Sequence, residues 1–234
     1  MKKGEVLKSI TTNFTIACML VALGVLSFSG GITAVFAPSS ENVFYKGDAQ
    51  KNKVSIMINV YWGNEYLPSM LSTLKENKVH STFFVGGMWV SKYPEDFMSI
   101  WDAGHEIGNH GYFHKDGDKL DYNQNKAEIE NTHKLVKEYT GADMHLFAPP
   151  SGAIGTQTIK AAENLGYKVI MWSKDSIDWR DQDEELIFSR VTKNLSGGDF
   201  ILMHPTLSTS KVLDRIIKFI QNSGFEIVPV SQCL

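Results

Sequence analysis

Gly104-His105-Glu106-Ile107-Gly108-Asn109-His110-Gly111-Tyr112-Phe113-His114 reads as a short strand that leaves a sheet and delivers two imidazoles, His110 and His114, onto one loop. Three intervening residues let both side chains meet one metal ion if the segment turns like a helix. Gly104, Gly108 and Gly111 permit tight backbone turns around it. On spacing alone, two surface histidines on a polar loop fit equally well. The segments on either side decide between the two.

Upstream, Val54-Ser55-Ile56-Met57-Ile58-Asn59-Val60 is apolar at nearly every position, the pattern of a strand buried on both faces of a parallel sheet. Leu67 to Asn77 has helical spacing, with Pro68 in its first turn. Ser81 to Val85 is a second strand, and Pro94 to Ala103 a helix closed by Gly104. Downstream, a long amphipathic helix is predicted from Tyr122 to Tyr139, followed by a strand at Met144 to Phe147. Then come a helix at Thr156 to Leu165, a strand at Tyr167 to Trp172 and a helix at Asp183 to Leu195. A strand at Phe200 to Met203, a helix at Lys211 to Asn222 and a strand at Phe225 to Val230 complete the chain.

Strands and helices thus alternate about seven times, which predicts an α/β fold with parallel strands, either a barrel or an open doubly wound sheet. No G-x-G-x-x-G follows the first strand, so the nucleotide-binding version loses support. In a barrel, chemistry gathers where the strands end. Those ends carry Asn59-Val60, Gly86-Gly87, His110 and His114, Ala148 to Gly152, Asp175 to Trp179, and His204-Pro205.

The 234 residues, 43% hydrophobic and 21% charged, suit one domain and a short extra segment. A net charge of -3 gives no basic footprint, so no nucleic acid partner is expected. Cys18 lies in an apolar run far from Cys233, so the cysteines indicate no disulfide framework. Lys2, Lys3 and Lys8 precede that almost uncharged run, Phe14 to Ala37, which is long enough to span a bilayer. Residues 1–37 are therefore expected to be a membrane anchor, or a signal peptide cleaved near Val35-Phe36-Ala37. The body would then be extracytoplasmic. Residues 38–52 are polar and breaker-rich and read as a linker to a domain at 53–234.

At the strand ends, His110 and His114 could hold a divalent cation, whereas a catalytic zinc-type site usually has three protein ligands and one open position. His204, after the apolar strand Ile201-Leu202-Met203, could serve as an acid, and Asp178 could hydrogen-bond an imidazole. A histidine after a buried strand is, however, more often packed than catalytic. Asp178-Trp179 could instead cap the helix near Asp183. Trp62, Trp89, Trp172 and Trp179 could form a sugar-stacking wall or fill the core.

Taken together, the segments resemble the polysaccharide deacetylase family, the metal-dependent N- and O-deacetylases of chitin and peptidoglycan, over about residues 53 to 232. Ser81-Thr82-Phe83-Phe84-Val85-Gly86 resembles the family's A-T-F-F-V-x-G strand, and Gly104 to His114 its G-H-E-I-G-N-H-[ST]-x-x-H metal motif. Phe147 to Gly152 resembles F-R-P-P-Y-G, Trp172 to Trp179 resembles W-S-x-D-x-x-D-W, and Ile201 to His204 resembles I-L-x-H. The resemblance implies an irregular (β/α)7 barrel, and a divalent metal, zinc or similar, on His110 and His114. It implies His204 as general acid with Asp178 as its partner, and a cell-envelope glycan such as peptidoglycan as substrate. Substrate contacts would come from Asn59, Pro150, Ser151 and Trp179.

The chain departs from the family where the chemistry is most demanding. The family's first motif, V-x-L-T-F-D-D-G-P, laid without a gap on Val54 onward, places Asn59 and Val60 at the two aspartates. A gapped register that aligns Gly63 with the motif glycine places Tyr61 and Trp62 there instead. Neither restores the base or the third metal ligand. The family's arginine is Ala148, and Gly111 stands for its Ser or Thr. Loss of a general base removes about 10²–10⁴ of rate. Metal binding is accordingly expected to be weak or lost, with Glu65 as a conceivable substitute carboxylate. The Asn-Val-x-Trp-Gly-Asn-Glu segment resembles a sporulation-associated branch of the family. Two functions follow as expectations: a metal-dependent hydrolase of the N-acetyl amide of a glycan, and a glycan-binding pseudoenzyme at the cell envelope or spore cortex.

Overall fold

The computed structural model describes residues 42–234. The expected anchor or signal segment, 1–37, lies outside the described residues. Among the described residues, no helix is long and apolar enough to cross a membrane.

The strands are β1 (Val43–Phe44), β2 (Lys53–Val60), β3 (Thr82–Val85), β4 (Glu106–Asn109), β5 (Leu146–Phe147), β6 (Lys168–Ile170), β7 (Lys174–Asp175), β8 (Phe200–Met203) and β9 (Glu226–Ile227). The helices are α1 (Leu67–Glu76), α2 (Gly87–Lys92), α3 (Pro94–Asp102), α4 (Tyr122–Thr140), α5 (Thr156–Asn164), α6 (Glu184–Thr192), α7 (Leu207–Asn222) and α8 (Val230–Cys233). Every strand pair is parallel, in the order β1-β6-β5-β4-β3-β2-β8-β7, with β9 beside the start of β2. The path has two ends, so the sheet is a curled half-barrel and departs from an evenly closed seven-stranded ring.

Its two faces explain the continuous apolar runs. Ile56, Ile58 and Val60 of β2 point outward, into a cluster with Phe83, Val85, Ile201, Met203 and the inner sides of the helices. Met57 points inward, with Phe84, Ala148, Ile170, Phe200 and Leu202. Burying a Val, Ile, Leu or Phe on either face stabilises by about 1.5–3 kcal/mol relative to exposure.

Four differences from the expected elements have physical causes. Within the segment expected as a linker, β1 pairs with β6, and Lys46 makes an antiparallel bridge to Asp199 at the foot of β8. Residues 43–47 thus lie across the seam between β6 and β8. Helix α7 starts at Leu207, ahead of Lys211, because the Thr206 side chain accepts the Thr209 N–H and caps it. Helix α6 stops at Thr192, because Lys193 turns extended and Asn194 takes φ +53°. The last strand shortens to Glu226–Ile227 and gives way to α8.

Candidate functional site

Strand β4 delivers His110 at its C-terminal end, where the His110 N–H donates to Val85 O. The following loop is not helical. Gly111 (φ +73°) and His114 (φ +56°) adopt left-handed conformations instead, and the loop is pinned from three sides. Gly87 N–H and Met88 N–H, at the start of α2, donate to Gly111 O and Tyr112 O. Asn109 Oδ1 accepts the Gly111 N–H, and the buried Glu128 of α4 accepts the Phe113 N–H at 2.7 Å. The His110 and His114 rings end edge to face, with centroids 4.9 Å apart. The two imidazoles expected to meet do meet.

His110 Nδ1 lies 2.7 Å from Ala148 O. A carbonyl only accepts, so Nδ1 carries the proton and Nε2 the lone pair. Burial, then the neighbouring His114, push the His110 imidazole down to about 3, so it is neutral near pH 7. Burial also lowers His114.

Facing this pair across the mouth, His204 leaves β8 and is clamped by Asp178. The carboxylate accepts from His204 Nδ1 at 2.7 Å, from the His204 backbone N–H at 2.7 Å, and from Thr209 Oγ1. Asp178 is buried and fully employed, so capping the helix at Asp183 is not its role; Asp183 caps that helix itself. Thr209 was not legible as part of this site, although Thr206-x-x-Thr209 before an apolar helix is a capping signal that could have pointed to it.

Between the two histidine corners lies a cavity of about 480 Å3. Asn59, His110, His114, Asp175 and His204 line it, with Tyr61, Trp62, Trp172 and Trp179 as aromatic walls and Ser151 also in the lining. Trp89 takes no part; it is buried and donates Nε1–H to Asn64. Pro150 does not line the cavity: it is buried against Gly111 and backs the histidine loop. Glu65 is exposed on the 3-10 turn Asn64–Tyr66 and does not reach the cavity wall. Asn59 is buried at the floor, and its Oδ1 has no hydrogen-bond partner among the described residues.

The strand alternation separates the two residues of the ungapped register. Asn59 lines the cavity, whereas Val60 is turned into the outer core. Past the strand end, Tyr61 stacks on His114 with centroids 4.6 Å apart, and Trp62 lies parallel to His204 at 6.0 Å and 7°. Gly63 permits this turn: it sits at φ +84°, and a Cβ there would lie 2.0 Å from Pro205 O. Ala148 is buried in the inner cluster.

The cation implied by the resemblance therefore finds two imidazoles. Among the described residues, no group of three or more His, Cys, Asp or Glu side chains is placed to share an ion. The set is one donor short of a catalytic zinc site, and an aromatic ring covers one of the two imidazoles. These residues do not fit a tightly held cation.

The family profile for polysaccharide deacetylase matches residues 46–170. The chain belongs to the polysaccharide deacetylase family. Among its relatives, the uncharacterized protein YlxY of Bacillus subtilis is 36% identical over 190 residues, covering 81% of this chain and 60% of YlxY. The chain thus spans less than two thirds of that relative. The peptidoglycan-N-acetylmuramic acid deacetylase PdaA of Bacillus subtilis is 27% identical over 189 residues, covering 79% of this chain and 71% of PdaA. Among solved structures, a CE4 family pseudoenzyme from Bacillus anthracis superposes with a TM-score of 0.80 at 34% identity, covering 82% of this chain and 68% of that one. A mutant of that pseudoenzyme is described as having restored enzymatic activity. The curled parallel sheet of this family member is thus shared with that neighbour.

Proposed function

We propose that this chain is a polysaccharide deacetylase-family protein that binds a cell-envelope glycan, such as peptidoglycan, without hydrolysing it. The observation that carries the reading is that Tyr61 stacks on His114 and Trp62 on His204, while no third His, Cys, Asp or Glu among the described residues is grouped with the histidine pair to serve as a metal donor. Asn59 and Ala148 agree with it. The Asn amide has no useful basicity, and Ala148 cannot orient a base. The cleft itself is kept: its volume suits a sugar ring, and Trp62 and Trp179 are exposed at its mouth for stacking. Relatives that act on peptidoglycan, and a pseudoenzyme of the same fold, support this assignment. Such a partner would place the protein outside the cytoplasm, with its N-terminal segment as anchor or export signal.

The test is to titrate the full chain with N-acetylchitopentaose and with soluble peptidoglycan fragments, with and without chelator, while assaying acetate. The expected result is saturable binding that chelator does not alter, and no acetate above blank.

A second reading, hydrolysis of the N-acetyl amide, is favoured by one observation: the His204–Asp178–Thr209 arrangement is intact. In that reading the chain's own contribution is a proton held at His204 and an orientation fixed by Asp178. Acetate release that is abolished by His204→Ala would establish it and overturn the first.

A further inference from the structure

We infer that the sugar selected by this cleft carries a free amine: an already deacetylated 2-amino sugar in its ammonium form, in preference to the N-acetyl sugar. The inference rests on the glycan-binding reading and names the ligand class of the same site.

The argument is a count of what the walls offer. Nδ1 of His110 is engaged by Ala148 O and Nδ1 of His204 by Asp178, so neither of these contacts uses the Nε2 of either ring. Asp175 adds a carboxylate, of which Oδ1 accepts the Ile177 N–H. Asn59 contributes an amide oxygen that no described residue satisfies. No lysine or arginine lines the cavity. The neighbouring Arg180 is bound to Asp181, and Lys115 lies over the Phe113 ring.

An acetamide carbonyl would find only neutral donors here, such as the Asn59 amide and the tryptophan N–H groups, whereas the walls carry a carboxylate and no lysine or arginine. An ammonium brings three donors and no acceptor. It also gains from aromatic faces, which attract a desolvated cation, and Trp62, Trp172 and Trp179 supply them here. Aromatic rings over both histidine corners therefore do more than accompany a loss of hydrolysis. They exchange the features that hold an acetyl group for those that hold the amine left behind. A polypeptide of this kind would report where a deacetylase has already acted.

The test is calorimetric titration of the full chain with three pentasaccharide classes: fully acetylated chitopentaose, chitopentaoses with one free amine at each ring in turn, and cellopentaose. A single amine keeps polycation attraction to this acidic protein out of the comparison. At least one mono-amine isomer is expected to bind about tenfold more tightly than the acetylated and neutral sugars. Asp175→Asn should reduce that preference, whereas Trp179→Ala should weaken all ligands that bind. Equal or tighter binding of the acetylated sugar overturns the inference and leaves the glycan-binding reading standing. An amine preference unchanged in Asp175→Asn overturns the assignment of the ammonium to this wall. Failure of all three classes to bind overturns the glycan-binding reading, and the inference with it.

Discussion

The carboxylate of Asp178 holds His204 at two points, accepting the ring Nδ1–H through Oδ1 and the backbone N–H through Oδ2, each at 2.7 Å. One buried anion thus fixes both the rotamer of the imidazole and the chain that carries it, and Thr209 occupies the remaining direction. Removing it strands several donors at once. Asp178→Ala is expected to cost about 3 kcal/mol, since each buried polar group left unsatisfied costs about 1–3 kcal/mol. Urea unfolding of the variant beside the parent measures this; a difference under ~1 kcal/mol would show that the clamp is dispensable.

Tyr61 and Val60 make opposite predictions as sites for a new carboxylate. Tyr61→Asp places an acid where the ring now covers His114, completing a three-donor set, and should raise bound zinc towards one equivalent. Val60→Asp buries a charge in the outer core, should destabilise by about 3 kcal/mol or more, and should bind no more metal than the parent. Metal analysis and thermal melts of both variants decide the matter, and zinc uptake by Val60→Asp alone would refute the alternation described for β2.

Two buried imidazoles make the fold acid-sensitive. His105 accepts the Ser81 N–H through Nδ1 at 3.2 Å, and burial, then the neighbouring His80, lower it from 6.5 to about 4. His110 is lowered further, to about 3. A histidine depressed by folding favours the native state fully above its unfolded value, and that contribution disappears as pH falls through the folded value. Stability should therefore decline from about pH 6.5 down to about pH 3, with His105 accounting for up to about 3 kcal/mol of the loss above about pH 4. His105→Asn, whose amide oxygen can still accept from Ser81, should flatten the slope of unfolding free energy against pH. An unchanged slope would count against His105.

Gly63→Ala is expected to move Trp62. The added Cβ meets the Pro205 carbonyl at 2.0 Å in a left-handed backbone, so the loop has to shift. A stability loss of about 1–3 kcal/mol and weaker glycan binding should accompany it. Near-UV tryptophan signals and titration read the two effects separately.

Much of the molecule was legible in the sequence for reasons that are local. Strands β2, β3 and β8 are short runs of buried apolar residues, and α4 carries its own capping box, Asp121 with Gln124. His110 and His114 were found together, although a loop of positive-φ residues brings them there rather than a helical turn. What escaped was non-local. The orientation of Asn59 against Val60 could not be read, because both faces of β2 are buried and the apolar pattern does not distinguish them. Pro150, expected from the resemblance to touch substrate, is buried behind the histidine loop, against Gly111 from a segment distant in sequence. Strand β1 is two residues in a polar stretch, and only its distant partner β6 makes it a strand.

That short strand bears on where the domain can be cut. Val169 N–H and Met171 N–H donate to Asn42 O and Phe44 O, and the buried carboxylate of Asp199 has the Lys46 ammonium 2.8 Å away. A fragment begun at residue 53, the border suggested by the family motifs, would open the flank of β6 and remove the nearer of the two lysines beside that anion, leaving Lys174 at 4.0 Å. Expression of the barrel alone should start upstream of residue 42, and a shorter version that aggregates would be reporting a torn seam and not a failure of the fold.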